Sequence, residues 1–416
     1  MAADRDNTLG IYISIPFCRS KCTYCNFASG VYPATDHARY VNRVIENLVA
    51  SRAWADRLGV ALPRRLDTVY LGGGTPSLLA PDLLARLFAA VRSEFDLDPD
   101  AEITVECAPG QLADDTLAEL VAAGVNRVSL GVQSFIDSEA HASGRLHSQA
   151  MVADDLSRMR AAGIVNLNVD LIAGLAGQTI ATWQESLDVL NGSGVPHASV
   201  YMLEVDEDSR LGREMLAGGA RYHAGLVPSD DVIAQMYDLA IERLATAGLA
   251  QYEISNFCRP GFASTHNLRY WQRRLYLGVG LDASSMLRAS FDETCPTEPR
   301  YVLRSTTTDD LAAFVEGAQP PETAWLSPVS QHEEAWFLGL RLNGGVEVAE
   351  LEREFGRAMV APALEVAARL AEAGLLTFAA GRACLTPQGR LLSNDVFQEF
   401  LGLTPQAELV RPGDVA

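Results

Sequence analysis

No apolar run in this 416-residue sequence approaches the roughly 18 residues of a membrane-spanning helix, so no span is expected. The first ten residues, MAADRDNTLG, lack a secretory pattern. Basic residues are scarce: 33 Lys and Arg face 53 Asp and Glu, for a formal net charge of −20. Phosphate contacts need a basic surface, so general binding to nucleic acid is not expected, although the balance leaves room for a local basic site. Cysteine is sparse, with seven residues, of which Cys107, Cys258, Cys295 and Cys384 stand singly. A second C-x2-C knuckle is missing, which argues against a structural zinc site with its usual four ligands. Seven cysteines in a long chain without a secretory pattern also make a poor disulfide framework. Free thiols fit a reducing compartment, and a cytoplasmic location is the expectation.

The remaining three cysteines are concentrated in one stretch, GIYISIPFCRSKCTYCNFASG, where Cys18, Cys22 and Cys25 form a C-x3-C-x2-C array. The apolar run at residues 11–15 reads as a strand, and Pro16 ends it, so the cysteines occupy a loop at its carboxyl end. Three thiolates on one short loop can hold three irons of a [4Fe-4S] cluster and leave the fourth iron open to another ligand. Tyr24 lies between the last two cysteines, and Phe27 follows them.

Strand and helix patterns then alternate. Apolar strands are expected at residues 67–71, 102–107, 127–130, 166–172 and 198–203, with helical segments between them that close on Gly124, Gly163 and Gly248. The first long helix is expected over 35–58, capped by Thr35. This alternation implies a parallel sheet with right-handed crossovers. Six such units suggest an α/β fold, a partial (β/α)6 barrel whose site gathers at the carboxyl ends of the strands. Residues 206–228 read as a polar surface excursion, and Ser229 as the cap of a helix to Ala247. A Pro-rich link follows at 319–328. The order helix, helix, helix, hairpin, helix over 329–403 suggests a small winged-helix-like domain, and the tail 404–416 reads as disordered. The domain reading is thus 9–228 for the barrel core, 229–318 for an extension closing the barrel and lining its substrate side, and 329–403 for the C-terminal unit.

The cysteine array resembles the signature of the radical S-adenosylmethionine (SAM) superfamily. The wider segment IYISIPFCRSKCTYCNF is similar to a narrower group within it, that of oxygen-independent coproporphyrinogen III oxidase and the haem chaperones. The resemblance implies a cluster on Cys18, Cys22 and Cys25, with SAM chelating the open iron and cleaved by one electron. It also implies SAM contacts from Tyr12 on the first strand, from Gly73, Gly74 and Thr75 in GGGTP, and from Glu106 in ECAPG. Gln133 in GVQSF, Arg145 in GRLH and Asp170 in NVDLIAG complete the set. The chemistry suits these types. Glycines admit close backbone approach, a guanidinium pairs with a carboxylate in bidentate fashion, and an aspartate suits ribose hydroxyls. Cys107 and Ala108 depart from the family's Glu-Asn-Pro-Gly, and Ala176 stands where Pro is common.

The segment around His266-Asn267-x-x-Tyr270-Trp271 resembles the family's substrate side and is associated with haem in the chaperone branch. Arg269, Arg273 and Arg274 lie in it with no acid among them, so a haem reading puts Tyr270 and Trp271 against the ring, Arg269 and Arg273 on the propionates and His266 on the iron. The competing reading pairs these arginines with barrel acids such as Glu253. Leu281-Asp282-Ala283-Ser284 replaces the family's Pro-Gly-Ala-His, so a histidine that would serve as a ligand is absent. Two absences favour the chaperone branch: Phe27 stands where the oxidase carries a fourth cysteine, and few residues precede the first strand. The resemblance then implies a haem chaperone without coproporphyrinogen oxidase activity, partnered by haem, acceptor haemoproteins, an electron donor and, through acceptors, transiently by a membrane. It implies a lid or docking role for the acidic C-terminal unit. The alternatives are a radical SAM enzyme acting on a tetrapyrrole or similar substrate, or a purely structural iron-sulfur protein.

Overall fold

Strand β1 (Leu9–Ile15) is buried at every position but Tyr12, the pattern of a strand covered on both faces within a parallel sheet. This computed structural model describes residues 7–290 and 301–403; the tail at 404–416 lies outside the described residues. After β1 come β2 (Arg65–Gly73), β3 (Asp96–Cys107), β4 (Arg127–Gln133), β5 (Asn166–Ala173) and β6 (His197–Met202). All six are parallel and adjacent in chain order. The crossovers carry α1 (Ala34–Leu58), α2 (Pro81–Glu94), α3 (Asp114–Ala122), α4 (Asp137–Ala142), α5 (Gln149–Ala161) and α6 (Ile180–Ser193). The apolar faces of α1, α2, α3, α5 and α6 pack on one continuous core that runs from Leu9 to Phe314. The expected (β/α)6 unit is therefore present.

Its edges differ from expectation. After α7 (Arg210–Leu216) and α8 (Asp230–Thr246), the chain adds β7 (Ala250–Gln251) and β8 (Asn256–Cys258) antiparallel beside β6. It then crosses through α9 (Thr265–Trp271) to the opposite edge. There β9 (Tyr276–Val279) pairs parallel to β1, and β10 (Ser284–Arg288), β11 (Val302–Thr306) and, past α10 (Leu311–Glu316), β12 (Glu322–Leu326) follow antiparallel. The extension thus widens a twelve-stranded sheet at both edges instead of closing it. The Pro-rich 319–328 link is largely strand β12, because its backbone finds an open partner in β11. The 206–228 excursion contains α7, capped by the Ser209 side chain. At α1 the N-cap is Pro33 rather than Thr35, with no side-chain cap.

The C-terminal unit has its own core. Helix α11 (Pro328–Arg341) leads into β13 (Val346–Glu347), α12 (Val348–Phe355) and α13 (Arg357–Glu372). The hairpin β14 (Leu376–Ala379) and β15 (Arg382–Leu385) follows, then α14 (Pro387–Leu391) and α15 (Ser393–Gln398). Strand β13 completes a three-stranded sheet of order β13-β15-β14. Two residues are too few to carry an alternating pattern, so this strand left no signal in the sequence. Trp336 is fully buried and stacks on Phe400 at 4.8 Å and 10°. Trp336→Ala leaves a large void there, and the expected cost is about 3–5 kcal/mol. In urea, tryptophan and near-UV signals should show the C-terminal unit of this variant melting early; an unchanged midpoint would contradict the packing described.

Candidate cofactor site

The cysteine loop is fixed by its own backbone. Gly30 N–H donates to Pro16 O at 2.8 Å and Cys18 N–H to Gly30 O at 2.9 Å, which closes the loop at its base. The Lys21 ammonium donates to Phe27 O and Ser29 O, both at 2.9 Å. From outside, Thr23 N–H donates to Ser143 O and Leu211 N–H to Thr23 O. Gly144, at φ +91°, brings backbone against Cys22: a Cβ there would lie 3.2 Å from Cys22 Cα. None of the three cysteines is in a disulfide. Burial pushes the Cys18 thiol up, against hydrogen bonds from Thr75 and Ser29 that lower it. Among the described residues no three His, Cys, Asp or Glu side chains converge where one metal ion would sit.

The cysteines open onto a cavity of about 340 Å³ at the carboxyl ends of the strands. Gly73, Gly74, Thr75, Glu106, Gln133, Arg145 and Asp170 also line it, so the structure gathers seven of the eight expected SAM residues around the thiols. Tyr12 is the exception. It is set back from the cavity: its ring lies 6.0 Å from Tyr70 and 6.5 Å from His266, and its hydroxyl comes up behind Gly73, 3.3 Å from where a Cβ on that residue would sit. Two glycines form the wall by necessity. A Cβ on Gly73, at φ +93°, would meet Ser14 Oγ at 2.8 Å, and one on Gly74 would meet Ile15 O at 2.7 Å.

Electrostatics in the cavity follow from burial. Glu106 accepts from Tyr70 Oη at 2.8 Å and Gly73 N–H at 3.2 Å. Burial nonetheless lifts its carboxyl to about 7, helped by Asp170 and opposed by those hydrogen bonds. Asp170 is also raised by burial, against hydrogen bonds from Ser199, Ser129 and Asn168. For Arg145 burial works against the cation, but Tyr24, Cys22 and Asp170 outweigh it and keep the guanidinium charged. Two buried polar atoms here, Arg145 Nε and Gln133 Oε1, have no hydrogen-bond partner among the described residues. Gln133 also holds φ +70°, a left-handed conformation that side chains rarely adopt, next to a register shift between β4 and β5. Orphaned polar groups and backbone strain aimed at one cavity fit a site built for a polar ligand.

Several residues here escaped the sequence reading. In the sequence Tyr24 stands out only as an aromatic; burial raises its hydroxyl, and it lies against Arg145. Asn168 donates to Asp170 Oδ1 at 2.7 Å and to Ser129 Oγ at 2.7 Å. Its i, i+2 spacing to Asp170 on β5 is a period-two signal that would have found it.

The haem-side segment is placed elsewhere, under the amino ends of the strands. Glu102 of β3 accepts from Thr265 N–H and His266 N–H, so a carboxylate caps α9. His266 is buried; Nδ1 meets Thr68 Oγ1 and Nε2 meets Tyr270 Oη, each at 2.9 Å. Burial lowers it to about 3, so it is neutral. Arg269 is fully buried on Asp67 and on Leu275 O, and Arg273 forms a bidentate pair with Glu354 at 2.7 and 2.9 Å. Arg341 lies 4.2 Å over the Trp271 ring. The groups assigned to propionates and iron are thus engaged in ion pairs and hydrogen bonds. The partner of Arg269 is Asp67 rather than Glu253, which pairs instead with Arg341 at 3.8 Å.

Residues 12–190 match the radical SAM superfamily, and residues 326–392 the HemN C-terminal domain. The heme chaperone HemW of Lactococcus lactis is 33% identical over 390 residues, covering 94% of this chain and 96% of that protein. HemW of Mycobacterium tuberculosis is 34% identical over 399 residues, covering 94% and 95%. The chain belongs to the HemW family of radical SAM proteins. The fold of the family is also that of coproporphyrinogen III oxidase (HemN) from Escherichia coli, with a TM-score of 0.78 over 95% of this chain and 90% of that one, at 21% identity. Membership implies the [4Fe-4S] cluster and SAM, and the cavity residues fit both. Among the described residues no helix is long and apolar enough to cross a membrane.

Replacing Cys18, Cys22 or Cys25 by Ala should each abolish the [4Fe-4S] absorbance of the reconstituted protein. Cys107 and Cys258, both buried in the core, and Cys384 should be dispensable for it. A cluster that survives Cys22→Ala would refute the assignment.

A second expectation concerns pH. Glu106 binds its proton more tightly folded, near 7, than at its ordinary 4.5. The folded state therefore holds more protons than the unfolded one between these values, and stability falls as pH rises from about 4.5 to 7. Glu106→Gln removes this slope. Urea titrations of the metal-free protein at several pH values should show the two proteins diverging across that window; parallel curves would contradict it.

Proposed function

We propose that the chain is a haem chaperone: it holds a [4Fe-4S] cluster and SAM, binds haem, and delivers it to acceptor haemoproteins. The observation that carries this is relatedness along nearly the whole length to proteins named heme chaperone HemW. Phe27 supports the same branch. It stands where the oxidase has a fourth cysteine, and it is 61% exposed at the rim of the cofactor cavity. An electron donor and acceptor haemoproteins, met in the cytoplasm, complete the proposal, with membrane contact only through acceptors.

The chain's own contribution to the site follows from the geometry. Bound together, a [4Fe-4S] cluster and SAM supply one-electron chemistry at the open iron. The loop closed by Gly30 presents three thiols to one side of the cavity. Arg145 offers a buried cation with a free Nε, suited to a carboxylate. Glu106 and Asp170 offer acceptors, and Ser129 and Asn168 orient Asp170. The cavity, of about 340 Å³, falls within the range of ligand pockets.

The test is anaerobic reconstitution followed by haem titration and by incubation with an apo-haemoprotein. A stoichiometric haem complex, transfer to the acceptor, and no product from coproporphyrinogen III with SAM are expected. Formation of decarboxylated product would establish the oxidase instead.

A further inference from the structure

A second cavity, of about 330 Å³, lies between α1, strands β9 to β11 and the segment after α10. Its size falls within the roughly 300–1,000 Å³ typical of ligand pockets. None of its lining residues lines the cofactor cavity. Along α1 it meets Arg43, Asn47, Ala50, Trp54 and Arg57, which recur at helical spacing and share one face. Phe314, Pro320 and Pro321 add apolar wall, and Ser305 of β11 lines it from the sheet.

Several polar groups around this cavity have no partner within the protein. Ser305 is only 4% exposed, yet its hydroxyl makes no hydrogen bond among the described residues. Its neighbours on the same sheet face, Ser285 across the ladder and Thr307 two residues on, differ. Ser285 Oγ accepts from Gly278 N–H at 3.0 Å, and Thr307 Oγ1 donates to Gly280 O at 2.6 Å. The Asn47 amide, like the Ser305 hydroxyl, is without a partner among the described residues. Arg43 pairs with Glu46 at 3.1 Å, but its buried Nε has no hydrogen-bond partner among them. Arg57 has neither a hydrogen bond nor an ion pair among the described residues. Buried polar groups are normally paired, so several orphans around one cavity fit a ligand with polar edges. The charge of the lining is also unlike that of the chain. The chain carries 53 acids against 33 bases, yet the only charged residues here are the two arginines.

We infer that this cavity binds a compact aromatic anion, a single or fused ring that bears a phosphate or a carboxylate. Trp54 and Arg57 stand at i, i+3 on one face of α1, so a ring stacked on the indole brings its acid group to the guanidinium. Phe314 and the two prolines cover the rest of the ring, and Asn47 and Ser305 offer hydrogen bonds to its polar edge. An acyl chain fits less well, because it leaves Asn47 and Ser305 unpaired. The ligand is distinct from the cluster, SAM and the cargo, and the inference stands independently of the haem-chaperone reading.

The test is calorimetric titration of the full-length reconstituted protein with AMP and with 2-naphthoate, under saturating SAM so that the cofactor cavity is occupied. Saturable binding of at least one probe is expected. Tighter binding of AMP assigns the cavity to nucleotides, and tighter binding of 2-naphthoate to aromatic acids. Ala50 and Arg57 are both exposed on α1, so Ala50→Trp, which fills the groove, and Arg57→Glu, which reverses the charge, should fold normally. Each should weaken the binding about tenfold or more, the scale of a lost charge-assisted pair, with the cluster absorbance and SAM affinity unchanged. Arg57→Lys keeps the charge without the planar fork and should weaken it less. No saturable binding of either probe by the unaltered protein overturns the inference, as does binding that both Ala50→Trp and Arg57→Glu retain in full. Decanoate bound as tightly as 2-naphthoate overturns the aromatic class in favour of acyl chains. Inorganic phosphate bound as tightly as AMP overturns the role given to the indole.

Discussion

Everything in the cofactor site depends on how closely the GGG backbone approaches the cysteine loop. Thr75 N–H donates to Phe17 O at 2.8 Å, and a Cβ on Gly74 would collide with the carbonyls of Ile15 and Phe17. The carboxyl end of β2 is therefore locked to the start of the cysteine loop at the end of β1. Parallel pairing of β1 with β2 puts both ends on the same side of the sheet, which is what allows the contact. Any side chain at Gly74 would push the loop outward and carry Cys18 away from Thr75, whose hydroxyl lies 3.9 Å from the thiol.

From that corner the remaining groups follow by register. Glu106, Gln133 and Asp170 end or nearly end three successive strands, so their side chains reach one cavity from three directions. The interior beneath them is polar rather than filled with branched apolar residues, as a closed parallel barrel would be. Asn168 links Ser129, Asp170, Ser199 and His197, and His197 continues to Tyr252. A network in which each donor has an acceptor holds Asp170 in one rotamer and spares the site from ordering it on binding.

Strand order, crossover helices and the cysteine loop were legible because each is written in local periodicity and spacing. Strands predicted at 67–71 and 166–172 became Arg65–Gly73 and Asn166–Ala173, extended by pairing at their ends. What stayed hidden depends on distant partners. Nothing near β9 announces that Tyr276–Val279 will pair with β1, some 265 residues earlier in the chain. The φ of Gln133 is a property of the turn it makes, and its residue type carries no sign of it. The arginines of the 266–274 segment looked unclaimed, because Asp67 and Glu354 are far away in sequence.

Those arginines define the underside of the sheet. Asp67 receives both Arg269 and Arg274, and Thr8 donates to the same carboxylate. A buried ion pair adds little net stability, because desolvating the charges offsets their attraction, but breaking one leaves a costly unpaired charge. Its effect is to fix register: α9 can seat in only one position against β1 and β2. The C-terminal unit then docks on the other side of the same segment, with Glu354 on Arg273 and Arg341 on Trp271 and Glu253. Among the described residues, Trp271 Nε1, Arg341 Nε and Asn343 Oδ1 are buried there without a hydrogen-bond partner. The C-terminal unit is thus joined to the sheet twice: through α9 by ion pairs that specify one arrangement, and through the segment before it by backbone hydrogen bonds, Ile254 N–H to Arg341 O and Asn343 N–H to Tyr252 O, with Ile254 buried in the C-terminal core.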